Sequence, residues 1–189
     1  MTIDFENILN ASEKLLEVVR NWRNGTTVSQ YMITNHYISL EEHNRWIQNL
    51  RKKTTAKAWI IRVKGKPVGV VSLTNIDRKK KTAEWGFYIA DVSVRGKGVG
   101  SAVLYQLLEY AFGALHLQSI TTSVLGNNPT ALHLYEKFGF EIDPEKKQSL
   151  MREGRVINVS TMTLSRDTWT QKRKSLQKES KQKDTARLS

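Results

Sequence analysis

The 189-residue chain contains no cysteine. Disulfide bonds and cysteine-ligated metal sites are therefore excluded, which suits a cytoplasmic protein, and we predict no metal site. No apolar run approaches the roughly 20 residues that a membrane-spanning helix needs. The N-terminal segment MTIDFENILN lacks the basic and apolar stretches of a secretory signal, so we expect no export signal there. The length favours one domain with a substantial hydrophobic core.

Acidic residues are scarce, since 18 Asp and Glu stand against 30 Lys and Arg, and the formal net charge is +12. Segment 165–189 has eight basic and three acidic residues, so this tail carries +5 and leaves +7 on residues 1–164. The tail has almost no apolar residues after Trp169, and we predict that it is either helical or disordered. A basic surface suits nucleic acid, an acidic membrane or anionic small ligands, and composition does not choose among them.

Hydrophobic periodicity predicts an α/β (α+β) fold in which helices precede and follow a three-stranded antiparallel meander. We expect Leu40, His43, Ile47 and Leu50 to share one face of the second helix. The polar stretch 145–154 is expected to be an excursion between the last two strands. The predicted helices cover 10–23, 39–53, about 15 residues from Val99, and 128–138, and the predicted strands cover 58–63, 68–73, 83–90, 119–125, 140–142 and 155–164.

A glycine-rich loop, Arg95-Gly-Lys-Gly-Val-Gly100, opens the helix that follows the meander. Glycines at alternate positions let backbone approach a ligand, and a helix N-terminus favours anions. The spacing matches neither the Walker loop nor the dinucleotide fingerprint. No acidic residue follows in the first helical turn, which keeps the site electropositive. By itself this loop indicates either a phosphate site or a flexible turn.

A second motif favours the phosphate-site interpretation of the glycine loop. Its sequence is Asn128-Pro-Thr-Ala-Leu-His-Leu-Tyr-Glu-Lys-Phe-Gly-Phe140. Asn128 suits a helix N-cap, and Ala131 and Tyr135 share one helix face, with His133 expected on the surface. The two motifs lie about 28 residues apart with one strand between them, and together they resemble those of the GNAT N-acetyltransferases. The resemblance covers residues 1–164 and implies the acyl-CoA N-acyltransferase fold, a mixed central sheet of about six to seven strands with flanking helices.

The resemblance also implies the co-substrate and its site. Acetyl-CoA donates acetyl to an amine by direct attack, the glycine loop binds the pyrophosphate through backbone N–H groups, and the pantetheine arm lies between splayed fourth and fifth strands. Asn128 is then expected to contact that arm, and Tyr135 to protonate the leaving thiolate. The implied cofactor-binding residues are Val92, Val94, Arg95, Gly96, Lys97, Gly98, Val99, Gly100, Ser101, Asn128, Ala131 and Tyr135.

The chemistry needs both an acid and a base. A phenol, with a reference pKa of about 10, can protonate a thiolate, which agrees with Tyr135 as the catalytic acid. Glu84, at the end of the central strand, is our candidate for the base that removes the amine proton through water. A surface pairing of Glu84 with a lysine of the 78–81 turn is an equal alternative to that role. The base itself stays open between Glu84 and a water chain held by backbone or Ser72.

The N-terminal third bears on the acceptor. Its Trp22-Arg23-Asn24 and His43-x-x-Trp46-Ile47 elements resemble the nucleotide-sugar N-acetyltransferases of pseudaminic acid synthesis, whose acceptor is a UDP-4-amino-4,6-dideoxy-N-acetyl-altrosamine. Arg23 and His43 would contact its diphosphate, although Arg23 also suits a helix C-terminus and His43 a protein core. The substrate-binding residues implied are Arg23, His43, Thr74, Asn75 and Tyr88.

Two other functions stay open on the sequence. One is a protein or ribosomal-protein N-terminal acetyltransferase, and the other is a basic nucleic-acid-binding module that works through the tail. We expect acetyl-CoA and a UDP-amino sugar as partners, with no nucleic acid and no membrane span. A homodimer is compatible with the sequence.

Overall fold

The computed structural model of the chain describes residues 2–186, without the side chains of Lys147 and residues 179–186. One seven-stranded sheet, of order β1-β2-β3-β4-β5-β7-β6, carries helices on both faces. The strands are β1 (Ile3–Asn7), β2 (Lys57–Val63), β3 (Lys66–Asp77), β4 (Thr82–Ile89), β5 (Ser119–Leu125), β6 (Glu141–Arg152) and β7 (Arg155–Ser165). The helices are α1 (Glu13–Asn24), α2 (Thr26–Ser29), α3 (Leu40–Lys52), α4 (Val99–Leu108), α5 (Pro129–Lys137) and α6 (Arg166–Ala186).

The sheet opens between its two central strands. Strands β1 to β4 are antiparallel, as are β5, β7 and β6, whereas β4 and β5 run parallel. Strands β4 and β5 pair only through Thr82–Glu84 and Ser119–Thr121, and beyond Glu84 the two strands separate. This mixed sheet and its splay confirm the predicted fold class.

Two apolar clusters sandwich the sheet. On one face, Val103, Leu104 and Leu107 of α4 are fully buried in a cluster that continues into α5 and α6. On the other face, Val19 of α1 and Ile47 of α3 pack over the first strands. Because both faces of β2 are covered, its consecutive residues Ile60 and Ile61 are both fully buried.

Three sequence predictions were wrong in detail. Strand β1 was not predicted, because five residues with mixed polarity form a strand only through pairing with β2. The stretch 145–154 lies largely in β6, an edge strand whose backbone pairing with β7 tolerates polar side chains on both faces. Leu40 is 58% exposed at the start of α3, so it does not share the buried face of that helix.

The basic tail is helical in the described part of the chain. Helix α6 packs on the core through Trp169, which is buried and stacks on Phe138 with 6.1 Å between ring centroids. Arg173 forms an ion pair with Glu109 at 2.8 Å, in the six-residue π-helical turn that continues α4. Of the helices in the described residues, none combines the length and apolar character that spanning a membrane requires.

Candidate functional site

A cavity of about 310 Å³ occupies the gap between β4 and β5. It lies where the two strands have separated, so residues of both strands form its walls together with α5 and the segment between α2 and α3. The lining residues are Arg23, Tyr31, Met32, Ile33, Thr34, Val70, Ser72, Trp85, Gly86, Phe87, Tyr88, Thr122, Ser123, Val124, Asn128 and Tyr135. The described residues therefore bring Arg23, Tyr88, Asn128 and Tyr135 of the predicted site to one cavity.

The glycine loop forms the N-terminus of α4. Gly96 and Gly98 have φ of 72° and 80°, in the left-handed region that disfavours side chains. Gly98 is the N-cap residue, and no side chain caps the helix in its place. The first-turn N–H groups lack intrahelical acceptors, and no acidic residue lies in that turn. This helix end therefore offers backbone donors and a positive dipole to an anion.

The segment that leads into the glycine loop is held by side-chain hydrogen bonds. Asp91 accepts from the backbone N–H of Ser93 at 2.9 Å and from its hydroxyl at 2.6 Å, and it also accepts from Lys66 at 3.0 Å. The hydrogen bond from the Ser93 hydroxyl, followed by that from Lys66, lowers the pKa of Asp91 to about 2. Arg95 donates to the carbonyls of Ile89 and Thr27, at 2.6 and 3.1 Å. Its guanidinium thus anchors the loop rather than standing free.

The remaining residues of the predicted cofactor site surround that loop. Val92 is exposed in a short 3-10 turn, Val94 packs on the core, and Val99 is buried at the start of α4. Asn128 caps α5, its Oδ1 accepting from the N–H of Ala131 at 3.2 Å. The predicted N-cap is confirmed. Lys97 is exposed and Ser101 is half-buried beside the glycines.

Tyr135 lies in an aromatic pocket at the cavity wall. Its side chain is 6% exposed and contacts Trp85 edge-on, with 5.1 Å between ring centroids, and Phe140 at 5.7 Å. Burial raises the pKa of the Tyr135 phenol, and a hydrogen bond with Thr122 partly offsets that rise. The phenol is therefore protonated at neutral pH, the form in which it can donate a proton.

The opposite wall carries a positive charge. Arg23 donates through Nη2 to the carbonyl and, at 3.0 Å, to the hydroxyl of Thr34, whereas its Nη1 is buried with no protein partner among the described residues. Burial lowers the pKa of Arg23, and Arg152 lowers it further, while Tyr88 and Glu42 act in the opposite direction. Desolvation also raises the pKa of Tyr88, whose hydroxyl lies 3.5 Å from the carbonyl of Val19.

Four of the residues predicted to act in catalysis or in acceptor binding, Glu84, His43, Thr74 and Asn75, lie outside the lining of the cavity. Glu84 is exposed at the last position of β4 that pairs with β5, where it lies opposite Thr74 of β3, and the open gap begins beyond it. Asn75 is exposed at a β-bulge and faces a separate open hollow beside Thr54. His43 is buried between α1 and α3, which agrees with the core alternative rather than with substrate contact.

The sequence predictions missed three residues that shape the cavity. Trp85 lines the cavity from β4 and Thr122 lines it from the neighbouring strand β5. Side chains alternate between the two faces of a strand, and a stricter use of this alternation in 83–90 and 119–125 could have identified both residues. Arg152 reaches the segment between α2 and α3 from the far end of β6. No local sequence signal could have identified Arg152, because its partners lie about 120 residues away.

The residues present fit acetyl-CoA. The separated strands leave backbone groups of β4 without strand partners on the side facing β5, and Trp85 has its indole Nε1 buried with no partner among the described residues. A pantetheine arm carries amide groups that can pair with such backbone, and the uncapped N-terminus of α4 suits a pyrophosphate. The group would supply a thioester, whose acetyl carbonyl is open to attack by an amine.

The comparisons with known proteins agree with this geometry. A profile of the acetyltransferase (GNAT) domain matches residues 9–141. The acetyltransferase PseH of Campylobacter jejuni is 32% identical over 146 residues, covering 77% of this chain and 88% of that protein. The spermidine N(1)-acetyltransferase of Vibrio cholerae is 26% identical over 148 residues, covering 78% and 85%.

Solved structures show the same fold. The spermidine N-acetyltransferase of Vibrio cholerae in complex with CoA and spermine has a TM-score of 0.79 at 22% identity, covering 89% of this chain and 98% of that one. Campylobacter jejuni PseH in complex with acetyl coenzyme A has a TM-score of 0.65 at 23% identity, covering 87% and 99%. The chain thus belongs to the acetyltransferase (GNAT) family and is an N-acetyltransferase that uses acetyl-CoA.

Proposed function

We propose that the enzyme acetylates the amino group of a UDP-amino sugar of the pseudaminic acid type. The observation that carries this proposal is the charge of the cavity. Among its lining residues, as far as the structure describes them, Arg23 is the one full charge, and none is Asp, Glu or His. A cavity with a guanidinium and no carboxylate favours an acceptor that carries phosphate.

The sequence resemblance supports the same acceptor. Residues 22–24 and the segment around Trp46 resemble nucleotide-sugar N-acetyltransferases, and a PseH protein is 32% identical to this chain. Arg23 is the residue that we assign to the diphosphate, since its Nη1 is a buried donor without a partner among the described residues. Tyr88 lies beside Arg23 in the same wall and is assigned to the sugar. His43, Thr74 and Asn75 carry no role in this proposal because they do not line the cavity.

The residues divide the proton transfers between them. Tyr135 donates its phenol proton to the thiolate that leaves when the amine attacks the acetyl carbonyl. For the amine proton, a water held by Ser72 and the β4 backbone is the arrangement that the cavity supports, since Ser72 lines it and Glu84 does not. Ser72 Oγ lies 3.5 Å from the carbonyl of Gly86, on the wall that faces the incoming amine.

A polyamine is the second candidate, because a spermidine acetyltransferase is 26% identical to this chain. Glu42 is the specific feature in its favour, since this carboxylate is close enough to Arg23 to raise its pKa. However, Glu42 also forms an ion pair with His36 at 2.9 Å and does not line the cavity. A polycation would have to approach the guanidinium of Arg23 without a lining carboxylate, which disfavours this acceptor.

Mass spectrometry of acetyl transfer tests the proposal. The purified chain is mixed with acetyl-CoA and, separately, with UDP-4-amino-4,6-dideoxy-N-acetyl-altrosamine, spermidine and a peptide with a free N-terminal amine. We expect kcat/KM to be highest for the UDP-amino sugar. A higher value for spermidine or for the peptide would contradict the proposal and select one of the other acceptors. The lack of cysteine in the sequence suits a cytoplasmic enzyme, which we also propose, and a homodimer stays a prediction.

A further inference from the structure

The segment between α2 and α3 is attached to the rest of the molecule mainly by side chains. On α1, Asn24 exchanges two hydrogen bonds with the backbone of Ile38, at 2.8 and 3.0 Å, and Arg20 donates to the Tyr37 hydroxyl at 3.1 Å. Arg23 holds Thr34, as described above. No strand pairing holds this segment in the described structure, so its position depends on a few individual donors.

Arg152 provides three of these donors from a distant element. It lies at the end of β6, and its Nη1 donates to the carbonyl of Gln30 at 2.8 Å. Its Nη2 donates to the carbonyls of Met32 and Ile33, at 2.6 and 3.2 Å. One planar guanidinium thus binds three backbone carbonyls within residues 30–33, which the rigid fork of arginine donors allows and a lysine ammonium does less well.

Two of the three carbonyls that Arg152 binds belong to residues of the cavity wall. Met32 and Ile33 line the cavity, and so do the adjacent Tyr31 and Thr34. Arg152 is close enough to Arg23 for its charge to lower the pKa of Arg23. Two guanidiniums are held near each other at one wall because each donates to backbone carbonyls of the segment between them.

We propose that Arg152 is a positioning residue for the acceptor amine. It fixes residues 30–34 against the cavity, so the β6–β7 hairpin sets how well the acceptor binds without itself touching the reacting atoms. The proposal rests on the proposed function in one respect, that the acceptor enters beside Arg23 and this segment. The glycine loop at the start of α4 does not depend on Arg152, so binding of acetyl-CoA is expected to be independent of it.

The hairpin offers a matched control. Arg155 is directly opposite Arg152 in the β6–β7 register, is exposed, and its side chain forms no hydrogen bond or ion pair with the described residues. We compare wild type, Arg152→Ala, Arg152→Lys and Arg155→Ala. We expect Arg152→Ala to raise the KM for the acceptor about tenfold or more, since a misplaced wall loses orientation, with the KM for acetyl-CoA unchanged. Arg152→Lys should recover part of the loss, and Arg155→Ala should match wild type.

Hydrogen exchange of the full-length proteins tests, independently of catalysis, whether Arg152 holds the segment between α2 and α3 in place. We expect the amides of residues 30–38 to exchange faster in Arg152→Ala, and those of α4 to exchange at the wild-type rate. Unchanged exchange of 30–38, or equal rises in the two KM values, would overturn the proposal. The kinetic assay uses UDP-4-amino-4,6-dideoxy-N-acetyl-altrosamine, or spermidine if wild type prefers it. A wild-type enzyme that acetylates neither amine contradicts the proposed function instead, and the exchange rates then decide whether Arg152 holds the segment.

Discussion

The ring of Tyr135 meets that of Trp85 edge-on, with 5.1 Å between centroids and 71° between planes. This contact joins α5 to β4 across the open part of the sheet, and Trp85 in turn stacks on Phe87 at 5.7 Å. The phenol ring is therefore fixed by packing, while its hydroxyl forms a hydrogen bond with Thr122 at the cavity wall. Packing and catalysis can be separated experimentally at this residue, because removal of the hydroxyl leaves the ring in place.

Tyr135→Phe is expected to lower kcat by about 10²- to 10⁴-fold, the range for loss of a general acid. The dissociation constant for acetyl-CoA and the melting temperature should change little, because the aromatic contacts remain. Steady-state kinetics, calorimetric titration with acetyl-CoA and thermal unfolding measure the three quantities. An unchanged kcat would remove Tyr135 as the acid.

Tyr105→Phe is the matched control for this experiment. Tyr105 lies on α4, and its hydroxyl accepts a hydrogen bond from Gln177 at 2.8 Å on the side of α6. Tyr105→Phe removes the same hydroxyl oxygen as Tyr135→Phe, but from a residue that does not line the cavity, so we expect its kcat to match wild type. A loss of activity in both variants would show that the effect is general to the fold.

Arg23→Ala is expected to raise the KM for the UDP-amino sugar by about 10- to 100-fold, the value of a hydrogen bond to a charged group. The KM for acetyl-CoA should stay the same, since the glycine loop belongs to another element. Arg23→Lys keeps the positive charge but loses the forked donors of the guanidinium, so its KM for the UDP-amino sugar should lie between those of wild type and Arg23→Ala. Initial-rate kinetics with each substrate varied in turn measures this, and a parallel rise of both KM values would make Arg23 structural.

Gly98→Ala is expected to weaken acetyl-CoA binding. A Cβ at Gly98 meets nothing within 4 Å, so the cost comes from φ of 80°, roughly 1–2 kcal/mol for a non-glycine residue. The N-terminus of α4 would then shift to relieve this backbone strain, and its N–H groups would no longer be placed as they are in wild type. Gly113→Ala is the control, because a Cβ there also meets nothing and φ is not positive. Calorimetric titration should show weaker binding in Gly98→Ala alone, and equal affinity in the two variants would contradict this role.

His43 should make stability depend on pH. Burial lowers the pKa of His43, and the nearby charge of Arg20 lowers it further, although a bond to the Leu16 backbone acts in the opposite direction. The folded state therefore binds this proton less readily than the unfolded chain, whose histidines titrate near pH 6.5. The contribution of His43 to the free energy of unfolding is therefore fully present above about pH 6.5 and decreases as the pH falls below that value.

Denaturant unfolding at pH 7.5 and pH 5.5 measures this effect. We expect the loss of unfolding free energy between the two pH values to be smaller in His43→Leu than in wild type. His133→Gln, at an exposed position of α5, should lose as much as wild type does. An equal loss in His43→Leu would show that His43 does not carry the effect.

Several parts of the site were predictable because their signals are local. The glycine loop, the Asn128 cap and the place of Tyr135 on α5 follow from spacing within a few residues, and the structure brings Asn128 and Tyr135 to one cavity. The splay of the two central strands followed from the resemblance and is confirmed. Helix α6 was left open between two states, and burial of Trp169 against the core is what the tail sequence did not show.

The errors share one physical cause. His43 has the helical spacing of a residue facing a ligand or a core, and only the packing of α1 against α3 places it in the core. Strand β6 looks polar because an edge strand gains its stability from backbone pairing rather than from burial. Arg152 carries no motif, since its partners become neighbours only when the sheet is assembled.

By itself the sequence determined the glycine loop at the start of α4, the capped helix that carries Tyr135 and the family to which the chain belongs. These depend on backbone conformations and caps that a few adjacent residues specify. Only the tertiary structure decided which of the predicted polar groups line the cavity: Arg23 and Tyr88 do, whereas Glu84 and His43 do not. The reason is that a cavity is made by side chains from distant strands and helices, and their directions are set by packing across the sheet rather than by local sequence.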